Sequence, residues 1–134
     1  MGVEAKICGL TRPGDAALAA RLGASYLGVV FADSSRQVGP AAAGDIVSAG
    51  GGLPVVGVFV SHPVDEILRL RDTVGFRGVQ LHGAYDAAAR VRLQREQVPV
   101  WVVQHISGPD DLEGLQERAV GADGVSPGLP RAVR

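Results

Sequence analysis

Short apolar runs rich in β-branched residues recur along this chain, and their spacing limits the fold more than any other feature. VEAKIC (3 to 8), YLGVVF (26 to 31), PVVGVFV (54 to 60), GVQL (78 to 81) and PVWVVQHI (99 to 106) are each of strand length, and GADGV (121 to 125) looks like the start of a sixth. Between them lie segments with helical period and recognisable ends. Thr11 is placed as an N-cap, Pro13 falls in a first turn, an Ala/Leu face follows, and Gly23 serves as a stop. Further helices are expected over 40 to 48, 63 to 73, 85 to 97 and 110 to 119. Strand starts about 20 to 30 residues apart match the length of a βα unit, and near-continuous apolar strands imply a parallel sheet covered by helices. The class is α/β. Periodicity leaves two architectures open, an open flavodoxin-like sheet or part of an eight-stranded barrel.

Length and composition narrow the remaining choices. With 134 residues the chain suits one domain, and 46% hydrophobic against 20% charged residues is globular composition. No apolar run approaches the roughly 20 residues that a bilayer span needs. Thirteen basic and fourteen acidic residues give a formal charge of -1, so no broad field recruits nucleic acid or an anionic membrane. Any anionic ligand must be held locally. A single cysteine forms no internal disulfide, and the N-terminus lacks the pattern of a signal peptide, so a reducing cytoplasm is expected. Aromatics are only 4% of residues, which argues against stacking platforms for single-stranded nucleic acid.

In either architecture ligands gather where strands end and helices begin. Polar residues concentrate there: Cys8 after the first strand, Asp33, Ser34, Ser35 and Arg36 after the second, Ser61 and His62 after the third, His82 after the fourth, and His105 at the fifth. Cys8 has two readings. It is a small buried hydrophobe, the usual fate of a free cysteine, or a general base whose thiolate removes a proton near working pH. Arg36 is either a solvated loop cation or a planar fork for a carboxylate or phosphate. His82 closes a strand and bonds to the next loop. Zinc held by the three histidines is disfavoured, because spacings of 20 and 23 residues match no local metal pattern.

Taken together, KICGLTRPGDA, GASYLGVVFADSSRQV, VVGVFV and VQLHG, in this order and spacing, resemble the phosphoribosylanthranilate isomerase family of tryptophan biosynthesis. The match runs from about residue 5 to 106 and continues weakly through 121 to 123. The resemblance implies a (β/α)8 TIM barrel that uses neither cofactor nor metal. It also implies an Amadori rearrangement, in which N-(5-phosphoribosyl)anthranilate opens and isomerises to 1-(o-carboxyphenylamino)-1-deoxyribulose 5-phosphate. A carboxylic acid protonates the furanose ring oxygen and a cysteine thiolate takes a proton from the second sugar carbon. Cys8 matches that cysteine. Arg36 matches the arginine that approaches the anthranilate carboxylate, while Lys6 and His82 belong to the polar support without a proton-transfer role.

The resemblance also shows what differs. The family's acid is an aspartate at the end of the sixth strand, in a segment like GADALLLD, whereas this chain reads GADGVSPGLP. Asp123 aligns with the aspartate of GAD near the strand start, and it is the last acidic residue of the sequence. No general acid is identified. The phosphate cradle after strands seven and eight has no counterpart here. Residues 1 to 134 are therefore expected to form a single partial barrel of five to six βα units, with 126 to 134 as an irregular tail. Sheet edges should lie open at the first and last strands, and the alternative to an isomerase is an inactive remnant or half-barrel module that pairs with itself or another chain through them.

Overall fold

The computed structural model describes residues 4–83, 85–105 and 124–128, with only the backbone path given from residue 102 onward. Among the described residues there are six strands and four helices: β1 (Lys6–Ile7), α1 (Pro13–Arg21), β2 (Tyr26–Val30), α2 (Pro40–Ala49), β3 (Val55–Phe59), α3 (Val64–Val74), β4 (Gly78–Leu81), α4 (Ala87–Arg95), β5 (Val100–His105) and β6 (Gly124–Gly128). All neighbours pair in parallel, in the order β1-β2-β3-β4-β5-β6. That order decides between the two architectures. An open flavodoxin-like sheet reverses its strand order at a switch point, which places helices on both faces. Sequential neighbours joined by right-handed crossovers place every helix on one face. Consistently, α1 packs on α2, α2 on α3 and α3 on α4.

Curvature follows from side-chain reach. In a flat sheet β1 and β4 would lie about 14 Å apart, three strand spacings, and β5 about 19 Å away. Lys6 of β1 nevertheless hydrogen-bonds Gln80 of β4 and sits 5.2 Å from the Trp101 ring centroid of β5. The sheet is therefore rolled into the arc of a barrel with helices outside.

Strand alternation sorts the residues between the two faces. Leu27, Val29 and Phe31 of β2 and its end, Val55 and Phe59 of β3, Val79 and Leu81 of β4, and Val100 of β5 face the helices. There they meet Ala16, Ala19, Ala43, Ile46, Ile67 and Leu93 in one buried core. Phe31 stacks on Phe59 at 5.1 Å between centroids, and Phe76 closes the group at 5.7 Å from each. Small alanines on α1 and α2 let the helices lie close to these strands. The concave face, the interior of the barrel, carries Lys6, Cys8, Tyr26, Gly28, Val56, Val58, Gln80, His82 and Trp101.

Several sequence expectations change in detail. The N-cap of α1 is Arg12 and not Thr11, because Pro13 occupies the first helical position, where its missing N–H costs nothing. Gly23 acts as the stop: φ is +90°, its N–H donates to the Ala20 carbonyl, and the Ala24 N–H reaches back to the Ala19 carbonyl. Helix α4 starts at Ala87, two residues later than expected, because Asp86 caps it by accepting the Ala89 N–H at 2.8 Å. β1 pairs over two residues where six were expected. β6 runs through Gly128, so residues 126 to 128 of the expected irregular segment have strand backbone, and 129 to 134 lie outside the described residues. The helix expected over 110 to 119 and the GAD of 121 to 123 also lie outside them. Among the described residues the sheet ends at β1 on one side and β6 on the other.

Candidate active site

The end of β1 places Cys8 on the concave side, where it is exposed. This overturns the view of Cys8 as buried filler. Its bed is Gly28, the next step along the register that pairs Lys6 with Tyr26 and Ile7 with Leu27. A β-carbon on Gly28 would fall 2.9 Å from the Cys8 sulfur and 3.1 Å from its Cα, so only glycine lets the two strands lie this close. The Leu10 N–H donates to the Gly28 carbonyl at 3.1 Å and holds the chain there as it leaves β1.

Arg36 comes to the same place from the loop after β2. That loop is folded back tightly: the Val38 N–H donates to the Val30 carbonyl, the Gln37 side-chain amide to the Phe31 carbonyl, and the Arg36 N–H to the Ser34 hydroxyl. The guanidinium then lies against Gly9, the neighbour of Cys8, so closely that a β-carbon there would sit 2.6 Å from Cδ and 3.0 Å from Nη1. Gly9 has φ of +77°, a second reason for glycine at this position. Among the described residues no carboxylate pairs with Arg36, so its fork is open to an anion.

Behind the thiol, Lys6 is held by the Gln80 side-chain oxygen and lies over the Trp101 ring, with Tyr26 edge-on to that ring at 5.0 Å. Burial lowers the Lys6 pKa from its ordinary 10.5, while the charge of a Cys8 thiolate pulls it the other way. Lys6 and Cys8 thus feel each other across the face. The Gln80 amide nitrogen is 3.1 Å from Nε2 of His82. Gln80 is itself 5% exposed, the one buried polar side chain among the described residues, and sequence reasoning passed over it. The signal was present in VQLHG: Gln80 and His82 are two apart on a strand and so share a face.

The two rim histidines whose side chains are described, His62 and His82, face different ways. His62 turns away to put its ring edge-on against Phe59 at 5.1 Å, and its carbonyl accepts the Tyr85 hydroxyl at 2.8 Å. His82 lies on the concave side, and the side chain of His105 is outside the described atoms. Among the described residues no three His, Cys, Asp or Glu side chains come together. No described helix is long and apolar enough to cross a membrane.

An exposed thiol, an ammonium two residues before it on the same face, and a guanidinium lying on the residue after it thus come together on the concave side of the parallel sheet. The family model of N-(5'-phosphoribosyl)anthranilate isomerase matches residues 5–127. A protein of that name from Symbiobacterium thermophilum is 41% identical over 116 residues, covering 84% of this chain and 50% of the relative. The crystal structure of the Thermus thermophilus phosphoribosyl anthranilate isomerase superposes with a TM-score of 0.83 at 33% identity, over 97% of this chain and 68% of that one. Another solved isomerase, in complex with reduced 1-(o-carboxyphenylamino)-1-deoxyribulose 5-phosphate, gives a TM-score of 0.81 at 29% identity over 95% of this chain and 66% of that chain. The chain thus spans about half the length of the curated relative and roughly two thirds of the solved ones, in keeping with an incomplete barrel. On this match, covering nearly all of its length, the chain belongs to the N-(5'-phosphoribosyl)anthranilate isomerase family.

Proposed function

We propose that this chain provides the base and the carboxylate clamp for the Amadori rearrangement of N-(5-phosphoribosyl)anthranilate in tryptophan biosynthesis. The exposed Cys8 thiol, with the Arg36 guanidinium lying on the adjacent Gly9, is the observation that carries the proposal. Protonation of the furanose oxygen breaks its bond to the first sugar carbon and leaves an iminium. The Cys8 thiolate then takes the proton from the second carbon, giving an enolamine that tautomerises to the ketone. Arg36 binds the anthranilate carboxylate through paired hydrogen bonds and so presents the sugar to the sulfur. Lys6 stands on the same face as the thiol, and His82 lines the polar wall through Gln80. The acid step is assigned to no residue of this sequence. A thiol in this role suits a reducing cytoplasm.

A second function is favoured by one feature of the surface. Between β1 and α1 runs a groove of about 440 Å³ bounded by Ile7, Leu10, Leu18 and Leu22. Ile7, Leu18 and Leu22 are 43, 45 and 77% exposed, more than large aliphatic groups normally leave to water. This edge suits association with a second chain. A coupled assay of the purified protein on phosphoribosylanthranilate separates the two. Turnover that falls roughly 10²- to 10⁴-fold in Cys8→Ala supports the isomerase. Turnover indifferent to Cys8 overturns the assigned base, and absent turnover with concentration-dependent oligomers favours the module.

A further inference from the structure

We infer that Gln80 is a positioning residue that clamps Lys6 beneath Cys8 through its side-chain oxygen and, through its nitrogen, holds His82 as the neutral tautomer with its proton on Nδ1. The inference rests on the assignment of Cys8 as base. It follows from donor and acceptor counting. An ammonium has three donors and no acceptor, so the Gln80 atom facing Lys6 must be Oε1. The amide nitrogen, a donor only, then faces Nε2 of His82 at 3.1 Å. That Nε2 must accept, which places the ring proton on Nδ1 and disfavours the imidazolium. Because Gln80 is 5% exposed, water cannot easily replace either partner.

The clamp fixes a charge as well as a tautomer. Trp101 from β5 lies under the ammonium and Tyr26 from β2 braces that ring, so Lys6 is held on two sides. Among the described residues, the Cys8 thiol on β1 and His82 on β4 border the cluster, and the Arg36 guanidinium lies over Gly9 next to Cys8. Free lysines sample many rotamers, and a cation held in one place stabilises a neighbouring thiolate more than one averaged over solvent. The contact crosses 74 residues of sequence, so it is made only when the arc is rolled up.

The test uses the intact chain and reads no turnover. In wild-type protein at neutral pH, nitrogen-15 shifts of His82 should report protonated Nδ1 and bare Nε2. Gln80→Glu offers Nε2 an acceptor in place of a donor and should move the proton to Nε2 while keeping Lys6 paired. Gln80→Leu should release both partners and slow iodoacetamide alkylation of Cys8 at pH 7.5 about threefold or more, because the ammonium is no longer held beside the attacking sulfur. A wild-type His82 carrying its proton on Nε2 overturns the inference, and that measurement stands even where a variant fails to fold. Alkylation unchanged in a folded Gln80→Leu overturns the clamp. Absent turnover in the separate coupled assay would remove the isomerase assignment and Gln80's role in positioning a base, while the Nδ1–H tautomer and the hold on Lys6 would still be read by these two measurements.

Discussion

Replacing Gly28 by alanine should push β1 away from β2 at the point where the candidate base stands. The new methyl would meet three atoms of Cys8 at once: Sγ at 2.9 Å, Cα at 3.1 Å and Cβ at 3.2 Å. Carbon pairs are most favourable at about 3.5–4.0 Å, so the backbone contact alone is about 0.4 Å too short. Rotating the thiol relieves the first contact, but the second involves backbone and requires the strand to move. Overpacking of this kind costs about 1–3 kcal/mol. β1 pairs over only Lys6 and Ile7 and lies at the sheet edge, so it can yield and the lower part of that range is expected. Urea denaturation followed by circular dichroism would show a midpoint lower by roughly 0.5–1 M, given a slope of about 1–3 kcal/mol/M. Gly44→Ala is the control. A β-carbon there meets nothing within 4 Å, and in the interior of α2 alanine should stabilise by about 0.5–1 kcal/mol. The two glycine-to-alanine changes therefore have opposite signs. A Gly28→Ala protein as stable as wild type, with Cys8 alkylated at the same rate, would refute the close approach on which the site geometry depends.

Two further outcomes follow from the same structure. Lys6 has a folded-state pKa below 10.5, so between that lowered value and 10.5 the unfolded chain binds more protons and this group's contribution to stability rises with pH. Lys6→Met should flatten that rise in urea midpoints measured from pH 7 to 9.5. The range stops short of the region where Tyr85, raised above its ordinary 10.0 chiefly by burial, begins to act with the opposite sign. Asp86→Ala removes the cap from α4 and should cost about 1 kcal/mol in the same denaturation assay, with Asp86→Asn retaining most of it.

Much of the fold is legible in the sequence because its signals are local. Apolar strand cores, Pro13 at a helix start and Gly23 in a left-handed stop act within a few residues, and each reappears where the pattern put it. Boundaries shifted where two local signals competed, as when Pro13 displaced Thr11 from the cap and Asp86 outcompeted Tyr85 as the start of α4. The candidate site was legible only in part. Cys8 and Arg36 stand in recognisable motifs, but Gln80 lies inside an apolar strand and acquires its meaning from Lys6, 74 residues away. His62 looks like a rim histidine along the chain, yet its half-buried ring lies edge-on against Phe59 on the helix side of the sheet.

Alternating strand and helix lengths determined on their own that this polypeptide is a parallel α/β protein whose polar residues cluster at the strand ends, since both properties depend on neighbours within a βα unit. Only the tertiary structure decided that the sheet rolls in one direction. Strand order and curvature are properties of contacts between units, and those contacts bring an ammonium, an amide and an indole from β1, β4 and β5 onto one concave face.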